Sequence, residues 1–142
     1  MTYKEMRKKH QDFFNEFSKK HIICAFTDER LMEQLEEKNL KLEDICSAGV
    51  AGVFVPKDKV DDYLAVHKKI RDEEREAMKD DEFAVSAFVY EMFNHEYCIN
   101  YQGDYDVLGC LGYKEEDLAK DERLNRVYNK ARKQYFRECG EF

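Results

Sequence analysis

The first part of the chain alternates apolar and charged positions with the period of an α-helix. A run of apolar side chains and one histidine recurs at steps of three and four residues: Met6, His10, Phe13, Phe14 and Phe17. This spacing predicts an amphipathic helix over residues 2–20, and the hydroxyl of Thr2 can cap its start. A second helix is predicted over residues 28–38, with Thr27 as its N-cap.

Two short apolar runs predict the strands of a small sheet. Residues 21–26 are rich in β-branched side chains, and residues 52–55 follow a glycine-containing entry. The second run ends at Pro56, which cannot donate to a strand ladder. We expect these two runs to pair, with residues 39–48 between them as an irregular connector. The connector side chains expected to point inward are Leu40, Leu42 and Ile45.

The most apolar helix is predicted over residues 82–93, after a cap at Asp80 or Asp81. It is apolar nearly all round, which is typical of a helix that is buried on every side. We therefore expect it to be the central helix. The side chains expected to be almost fully buried are Phe88 and Ala84 or Ala87.

Two further helices are predicted by apolar stripes opposite a charged face, over residues 58–78 and 121–138. Residues 97–101 are interpreted as a third short strand. Residues 106–111 predict one or two helical turns, stopped by Gly112. The inward-facing residues of the last helix are expected to be Leu124, Val127, Tyr128, Ala131 and Tyr135.

The composition is that of a folded chain with a densely charged surface. Its 142 residues are 43% hydrophobic and 39% charged, with an aromatic fraction of 13%, whereas disordered chains are poor in aromatics. Helices outnumber strands and do not alternate regularly with them, which favours α+β over a wound parallel sheet. We expect a single α+β domain over residues 1–142, mostly helical, with about five helices covering a small two- or three-stranded sheet.

The net charge of −7 bears on the class of partner. Surfaces that bind phosphates need an excess of Lys and Arg, so direct nucleic-acid binding is not expected. Acidity instead suits a protein partner with a basic surface, although it also simply aids solubility.

The N-terminal sequence MTYKEMRKKHQ has no apolar segment of a secretory signal. No apolar run approaches the roughly 20 residues of a membrane span, and the five cysteines form no CxxC pair. We therefore expect a cytoplasmic protein with free thiols.

Residues 83–112 contain no Lys or Arg, and their only charged side chains are four carboxylates. The same segment holds seven aromatic side chains. One interpretation is that this segment is simply the core. The other is an acidic, tyrosine-lined surface around residues 96–106, since tyrosine is enriched at interfaces. Some of the tyrosines at 97, 101, 105 and 113 should then reach the surface. The candidate binding residues are Asn94, His95, Glu96, Tyr97, Tyr101, Asp104, Tyr105 and Asp106.

The same region holds side chains that could in principle converge as metal ligands or acid–base groups: His95, Glu96, Cys98, Asp104, Asp106 and Cys110. A zinc-protease motif would need a second histidine at position 99, where Ile99 stands, and paired Cys or His spacings are absent. We therefore expect no metal, no cofactor and no catalytic residue. Asn94 and His95 are expected to cap the end of the helix over residues 82–93, with the imidazole bonding backbone carbonyls. His10 and His67 are expected to be buried and hydrogen-bonded.

Three segments carry a resemblance to known proteins. They are residues 84–99 (AVSAFVYEMFNHEYCI), 48–55 (AGVAGVFV) and 106–112 (DVLGCLG). Here the chain resembles small uncharacterised proteins encoded by phages and mobile elements of gut-type bacteria, over most of its length. The resemblance implies a bacterial or phage cytosolic accessory protein, without an assigned activity. The positions that match the shared pattern most closely are Asn94, His95, Glu96 and Tyr97.

These observations predict a non-enzymatic binding protein of phage or mobile-element type, which occupies a surface on a host or defence protein. Two alternatives stay open. One is a small metal-binding protein or hydrolase that uses the region of His95 and Glu96. The other is a small-ligand binder with a tyrosine-lined pocket. Composition and spacing do not distinguish the oligomeric state.

Overall fold

A computed structural model describes residues 1–140 of the chain. In this range the chain forms seven α-helices and three β-strands, which is an α+β fold and confirms the predicted class. In chain order they are α1 (Tyr3–His21), β1 (Ile23–Cys24), α2 (Asp28–Glu37), β2 (Ile45–Ser47), β3 (Val53–Pro56), α3 (Val60–Ala77), α4 (Asp81–Asn94), α5 (Gly103–Cys110), α6 (Asp117–Lys120) and α7 (Glu122–Cys139).

The chain divides into two compact units. One, here called the helical unit, comprises residues 1–8 and the chain from Asp72 onwards; the other, the sheet unit, comprises Lys9–Arg71. The first boundary falls within α1 and the second within α3. The single domain over residues 1–142 stays a prediction.

The core of the helical unit is built on α4, as its apolar sequence predicted. Ala84, Ala87 and Phe88 are all at most 1% exposed, and the helix packs mainly against α7. The ring of Phe88 meets that of Tyr128 edge-on, with centroids 5.1 Å apart. All five side chains predicted to face inward from α7 are buried. The central position of the fourth helix is thus confirmed within this unit.

Side-chain caps fix the N-terminal ends of α4 and α7. The carboxylate of Asp80 accepts a hydrogen bond from the Phe83 N–H at 2.9 Å, and Asp121 accepts one from the Leu124 N–H at 3.0 Å. Arg123 donates to the carboxylate of Asp81 at 2.8 Å and to the backbone carbonyls that close α3. The hydrogen bond from Arg123 holds the pKa of the Asp81 carboxyl below its ordinary value. The fourth helix therefore begins where the aspartates predicted.

The sheet unit contains an antiparallel sheet in the order β1-β3-β2. The predicted pairing of the two apolar runs is confirmed, because Ile23 lies opposite Phe54. Thr27 caps α2 through a hydrogen bond from the Arg30 N–H at 3.2 Å. Helix α2 packs on the sheet through a small buried cluster: Ile23, Ala25, Leu31, Leu35 and Ile45.

Two local predictions are wrong. The third strand is not at residues 97–101, where Tyr97–Ile99 forms a single 3-10 turn; it is β2, inside the supposed connector. A three-residue strand is too short for its alternation to stand out from an irregular segment. Leu42, expected to point inward, is 59% exposed, because it opens a tight 3-10 turn at Leu42–Asp44. Leu40 and Ile45 do pack inward.

His67 in the sheet unit also departs from expectation. Its ring packs against Phe14 and Tyr63, with centroids 5.3 and 4.6 Å away. Its Nε2 atom is buried and has no hydrogen-bond partner among the described residues, so the expected hydrogen bond is absent at this nitrogen. Burial, together with the charge of Arg71, lowers the pKa of His67, since an imidazolium there would lose its hydration.

Candidate functional site

A buried carboxylate lies near the C-terminal end of α4. Glu91 is 0% exposed, and a buried charge requires compensation. Its Oε1 atom accepts hydrogen bonds from the Tyr3 hydroxyl at 3.0 Å and from Arg7 Nη1 at 2.6 Å. Burial raises the pKa of Tyr3 well above its ordinary range, so this phenol stays a donor. The first helix thus supplies both partners of this oxygen.

The second oxygen of Glu91 faces the end of its own helix. Oε2 lies 3.3 Å from Nε2 of His95 and 3.4 Å from the amide nitrogen of Asn94. His95 is one turn after Glu91, so the two side chains share a helix face. The imidazole, expected to bond backbone carbonyls, at Nε2 instead faces the side chains of Glu91 and Cys110. It is the backbone N–H of His95 that caps the helix, through the carbonyl of Glu91 at 2.9 Å.

Cys110 completes this cluster from the last residue of α5. Its Sγ atom lies 3.0 Å from His95 Nε2, and the three donor atoms of Glu91, His95 and Cys110 lie within 4.8 Å of one another. Burial and the neighbouring carboxylate raise the pKa of the Cys110 thiol to about 11. The thiol is therefore protonated at neutral pH, unlike an activated nucleophile, which has a lowered pKa.

The geometry of the cluster also differs from a catalytic triad. In a triad, one imidazole nitrogen faces the nucleophile and the other faces the orienting carboxylate. Here a single nitrogen, Nε2 of His95, faces both Cys110 and Glu91. Glu96, named with His95 in the hydrolase alternative, is not a member of this cluster. The arrangement brings three donor atoms toward one point and does not support nucleophilic catalysis.

A second carboxylate is enclosed by phenols. Oδ1 of Asp104 accepts hydrogen bonds from the hydroxyls of Tyr97 and Tyr128, each at 2.6 Å. Burial, reinforced by this carboxylate, raises the pKa of Tyr97 to about 12 and that of Tyr128 further. These hydrogen bonds tie the start of α5 to α7. Tyr97 and Asp104 thus brace the structure internally.

The loop between α4 and α5 is fixed by Asn100 and Asp106. The Asn100 amide donates to Asp106 Oδ2 at 2.9 Å and to the carbonyl of His95 at 3.1 Å. Its Oδ1 accepts from the Gln102 N–H at 2.9 Å. Glu96 is exposed and adopts the left-handed conformation, with φ +50°. This bracing holds the loop that carries Tyr101.

Tyr101 and Tyr105 project from this braced region. Tyr101 is fully exposed and Tyr105 is 66% exposed. An open cavity of about 420 Å³ is lined by Tyr101, Gln102, Tyr105 and Glu115. A second, of about 480 Å³, is lined by Tyr105, Gly109, Tyr113, Lys114, Glu115 and Glu116. Since Tyr105 and Glu115 line both cavities, we call these lining residues together the tyrosine surface.

The candidate binding residues therefore fall into three groups. Asn94 and His95 join the Glu91 cluster, while Tyr97, Asp104 and Asp106 hold the fold together. Tyr101 and Tyr105 are exposed, as expected of some of the tyrosines, and Glu96 lies at the turn. Their role in binding stays a prediction.

Sequence reasoning missed Glu91, Arg7 and Glu115 as members of these sites. Glu91 carried a signal, because it is the one charged residue between Phe83 and Asn94 of a nearly all-apolar helix. A carboxylate in such a helix is buried, and buried carboxylates have partners. Arg7 carried none, since its partner is 84 positions away.

The chain belongs to DUF7659, a family of unknown function, whose model matches residues 2–134. No curated protein and no solved structure matches it. In the part of the chain that the structure describes, every helix is too short or too polar to cross a membrane.

Proposed function

We propose that this protein is a small, non-enzymatic binding protein whose tyrosine surface binds a basic patch on a partner protein. The observation that carries the proposal is the exposure of Tyr101 and Tyr105. A single exposed aromatic side chain is ordinary, but Tyr101 and Tyr105 line one cavity together, and neighbouring exposed aromatics are typical of a binding surface. The neighbouring tyrosine of the same segment, Tyr97, is half-buried and hydrogen-bonded to Asp104, so the tyrosines of this segment do not all reach the solvent.

The backbone beneath the tyrosine surface is held rigidly. Asn100, the residue before Tyr101, donates a hydrogen bond to Asp106. Asp104, the residue before Tyr105, accepts hydrogen bonds from the hydroxyls of Tyr97 and Tyr128. A binding side chain on a fixed backbone loses less conformational entropy when a partner docks. Tyrosine itself has only two rotatable side-chain angles, which further lowers that loss.

Charge complementarity indicates a basic partner. Glu115 and Glu116 line the cavities beside the tyrosines, Lys114 is the one cation of that lining, and the chain carries a net charge of −7. An arginine of the partner can stack on a tyrosine ring while its guanidinium meets a carboxylate. The proposed contact is therefore a partner Arg or Lys between Tyr105 and Glu115.

The proposed setting is the cytoplasm, as an accessory protein of a phage or mobile element that occupies a surface on a host or defence protein. This part rests on the resemblance of residues 84–99, 48–55 and 106–112 to such proteins. Five free cysteines suit a reducing compartment.

The test compares capture of partners from a lysate of the organism that encodes the protein. The variants are the double change Tyr101→Ala, Tyr105→Ala and a matched control, Leu64→Ala, which alters a side chain exposed to 57% in the sheet unit. Wild type and control should capture the same basic protein, and the double variant should not. Capture should weaken as salt rises from about 0.01 M to about 0.15 M, because screening slows charge-steered encounter.

A crosslinking arm establishes whether the contact is direct. A benzophenone amino acid at position 101 or 105 should link to the captured protein, and one at position 64 should not. The proposal fails if the double variant captures the partner as well as wild type does. It also fails if substitutions at Lys8 and Lys9, in the basic first helix, abolish capture while the tyrosine variants retain it.

A second candidate function is the binding of a small molecule between Tyr105 and Tyr113. The cavity of about 480 Å³ favours it, because ligand sites usually enclose roughly 300–1,000 Å³. A ligand found by thermal-shift screening should lose its effect in Tyr113→Ala and retain it in Tyr101→Ala. Tyr101 lines only the neighbouring cavity, so the two variants separate the small-molecule function from the protein-binding one.

A further inference from the structure

We propose that Glu91, His95 and Cys110 form a three-ligand site for a divalent transition-metal ion of the zinc class. The ligand atoms are Oε2 of Glu91, Nε2 of His95 and Sγ of Cys110. Carboxylate oxygen, imidazole nitrogen and thiolate sulfur are the donors that zinc takes in proteins. The site is distinct from the tyrosine surface, and neither proposal depends on the other.

Two helices bring the ligands together. Glu91 and His95 are four residues apart, so both project from the same face at the C-terminal end of α4. Cys110 ends α5, which follows the loop held by Asn100 and Asp106. The expectation of no metal site rested on spacings of His and Cys alone, and it did not consider Glu91 as a ligand.

The distance from His95 to Glu91 is that of a tetrahedral centre, and the sulfur of Cys110 is near enough to move into place. Zinc bonds of about 2.0–2.3 Å place neighbouring ligand atoms roughly 3.3–3.6 Å apart. Here Nε2 of His95 lies 3.3 Å from Oε2 of Glu91 and 3.0 Å from Sγ of Cys110, and all three atoms lie within 4.8 Å of one another. The nitrogen and sulfur atoms must therefore separate by about 0.5 Å to admit a zinc ion with bonds of this length.

Outer contacts orient the carboxylate. Oε1 of Glu91 accepts hydrogen bonds from Tyr3 and Arg7, while Oε2 faces His95 and also accepts a long hydrogen bond, 3.4 Å, from the Asn94 side chain. Metal ligands are commonly held in this way by hydrogen bonds from further side chains. The positive charge of Arg7 partly neutralises the negative charge of the Glu91 carboxylate. The site is therefore predicted to bind its metal less tightly than a site with several thiolates.

The open side of the cluster faces solvent. Cys110 is exposed as a residue, and the side chain of His95 is 27% exposed, whereas Glu91 is fully buried. A metal can therefore enter from the solvent side, and water can fill the fourth position. Binding forms an Sγ–metal bond and releases the Cys110 proton to solvent.

The test uses the full chain, stripped of metal, with Co²⁺ as the probe and Zn²⁺ as the competitor. Wild type should bind one equivalent of Co²⁺ and give a thiolate-to-cobalt charge-transfer band that Zn²⁺ abolishes. Cys110→Ser should remove the band, and His95→Gln should weaken binding at least about tenfold, since even outer-shell changes cost about 10–100-fold in affinity. Cys24→Ser is the matched control, because Cys24 is another exposed cysteine, in the sheet unit, and it should retain the band.

The result that overturns the site is a wild-type protein without a charge-transfer band, or a band that survives Cys110→Ser. Loss of the band in Cys24→Ser would likewise assign the metal elsewhere. Glu91→Gln should also weaken binding, but it removes a buried ion pair and can unfold the chain. If Glu91→Gln unfolds the chain, Cys110→Ser and His95→Gln still test the site, with circular dichroism to show that both variants remain folded.

Discussion

The two halves of residues 83–112 share one property of sequence, the absence of Lys and Arg, and differ in structure. The first half is α4, where seven residues are buried and Phe88 is fully enclosed. The second half, from Tyr97 onward, exposes Ile99, Tyr101 and Tyr105. Burial explains the missing cations in α4, because unpaired charges are excluded from a core. Burial does not explain the absence of Lys and Arg at the exposed positions of the second half, since a charged side chain could be solvated there.

The largest effect is predicted at the centre of the buried half. Phe88→Ala should lower the free energy of unfolding by about 3–5 kcal/mol, because it deletes an enclosed ring that packs on Tyr128. Urea unfolding measures this. Phe26→Ala, at a phenylalanine that is 85% exposed, is the control and should change stability by less than about 1 kcal/mol. A loss at Phe88 no greater than at Phe26 would contradict the contrast between the halves.

The next effect is predicted in the second half, at the carboxylate that ties it to α7. Asp104→Ala should destabilise the protein by about 2–4 kcal/mol, since it leaves the hydroxyls of Tyr97 and Tyr128 without their shared acceptor. Asp104→Asn retains one acceptor oxygen and should cost clearly less. Equal losses in the two variants would mean that the hydrogen bonds to the phenols contribute little.

The fold was largely predictable because helix signals are local. The caps at Thr27 and Asp80 and the apolar length of α4 each fix an element from a few neighbouring residues. The errors fall where local signals are weak. Residues 97–99 are apolar enough for a strand, yet they form a turn after Glu96 enters the left-handed region. Nothing within three residues of sequence distinguishes those outcomes.

The candidate sites were predictable only in part. The tyrosines stood out by composition, and the exposure of Tyr101 and Tyr105 agrees with the expectation that some would reach the surface. The Glu91 cluster did not stand out, because its members come from three places in the chain. Arg7 and Cys110 reach Glu91 only through tertiary packing, which spacing in sequence does not encode.

A smaller effect is predicted at Tyr97, together with a dependence on pH. Tyr97→Phe should cost about 1 kcal/mol at neutral pH, the usual value of one hydrogen bond. The folded pKa of about 12 is above the ordinary value near 10 for a free phenol. The stabilisation is therefore complete below about pH 10 and is lost as the pH rises toward 12. Melting temperatures across this range should fall more steeply for wild type than for Tyr97→Phe, and equal slopes would contradict the assignment.

The smallest effect is predicted at the surface. Tyr101→Ala should change the free energy of unfolding by no more than about 0.5 kcal/mol, since the side chain is fully exposed. The same variant should reduce capture of a partner if the tyrosine surface binds one. Measuring both quantities separates the two roles, because a core tyrosine would lose stability and affinity together. A melting temperature that drops as far as in Tyr97→Phe would place Tyr101 among the structural residues.

The backbone at Glu96 bears on how this position should vary among members of the family. Its φ of +50° and ψ of +53° are accessible to glycine without strain and to asparagine with little, whereas a glutamate there is disfavoured. We expect glycine and asparagine to be frequent at this position in relatives. Loss of the carboxylate at position 96 in a relative would then be explained by the backbone conformation of the turn. It would not indicate loss of a function carried by His95 or Tyr101.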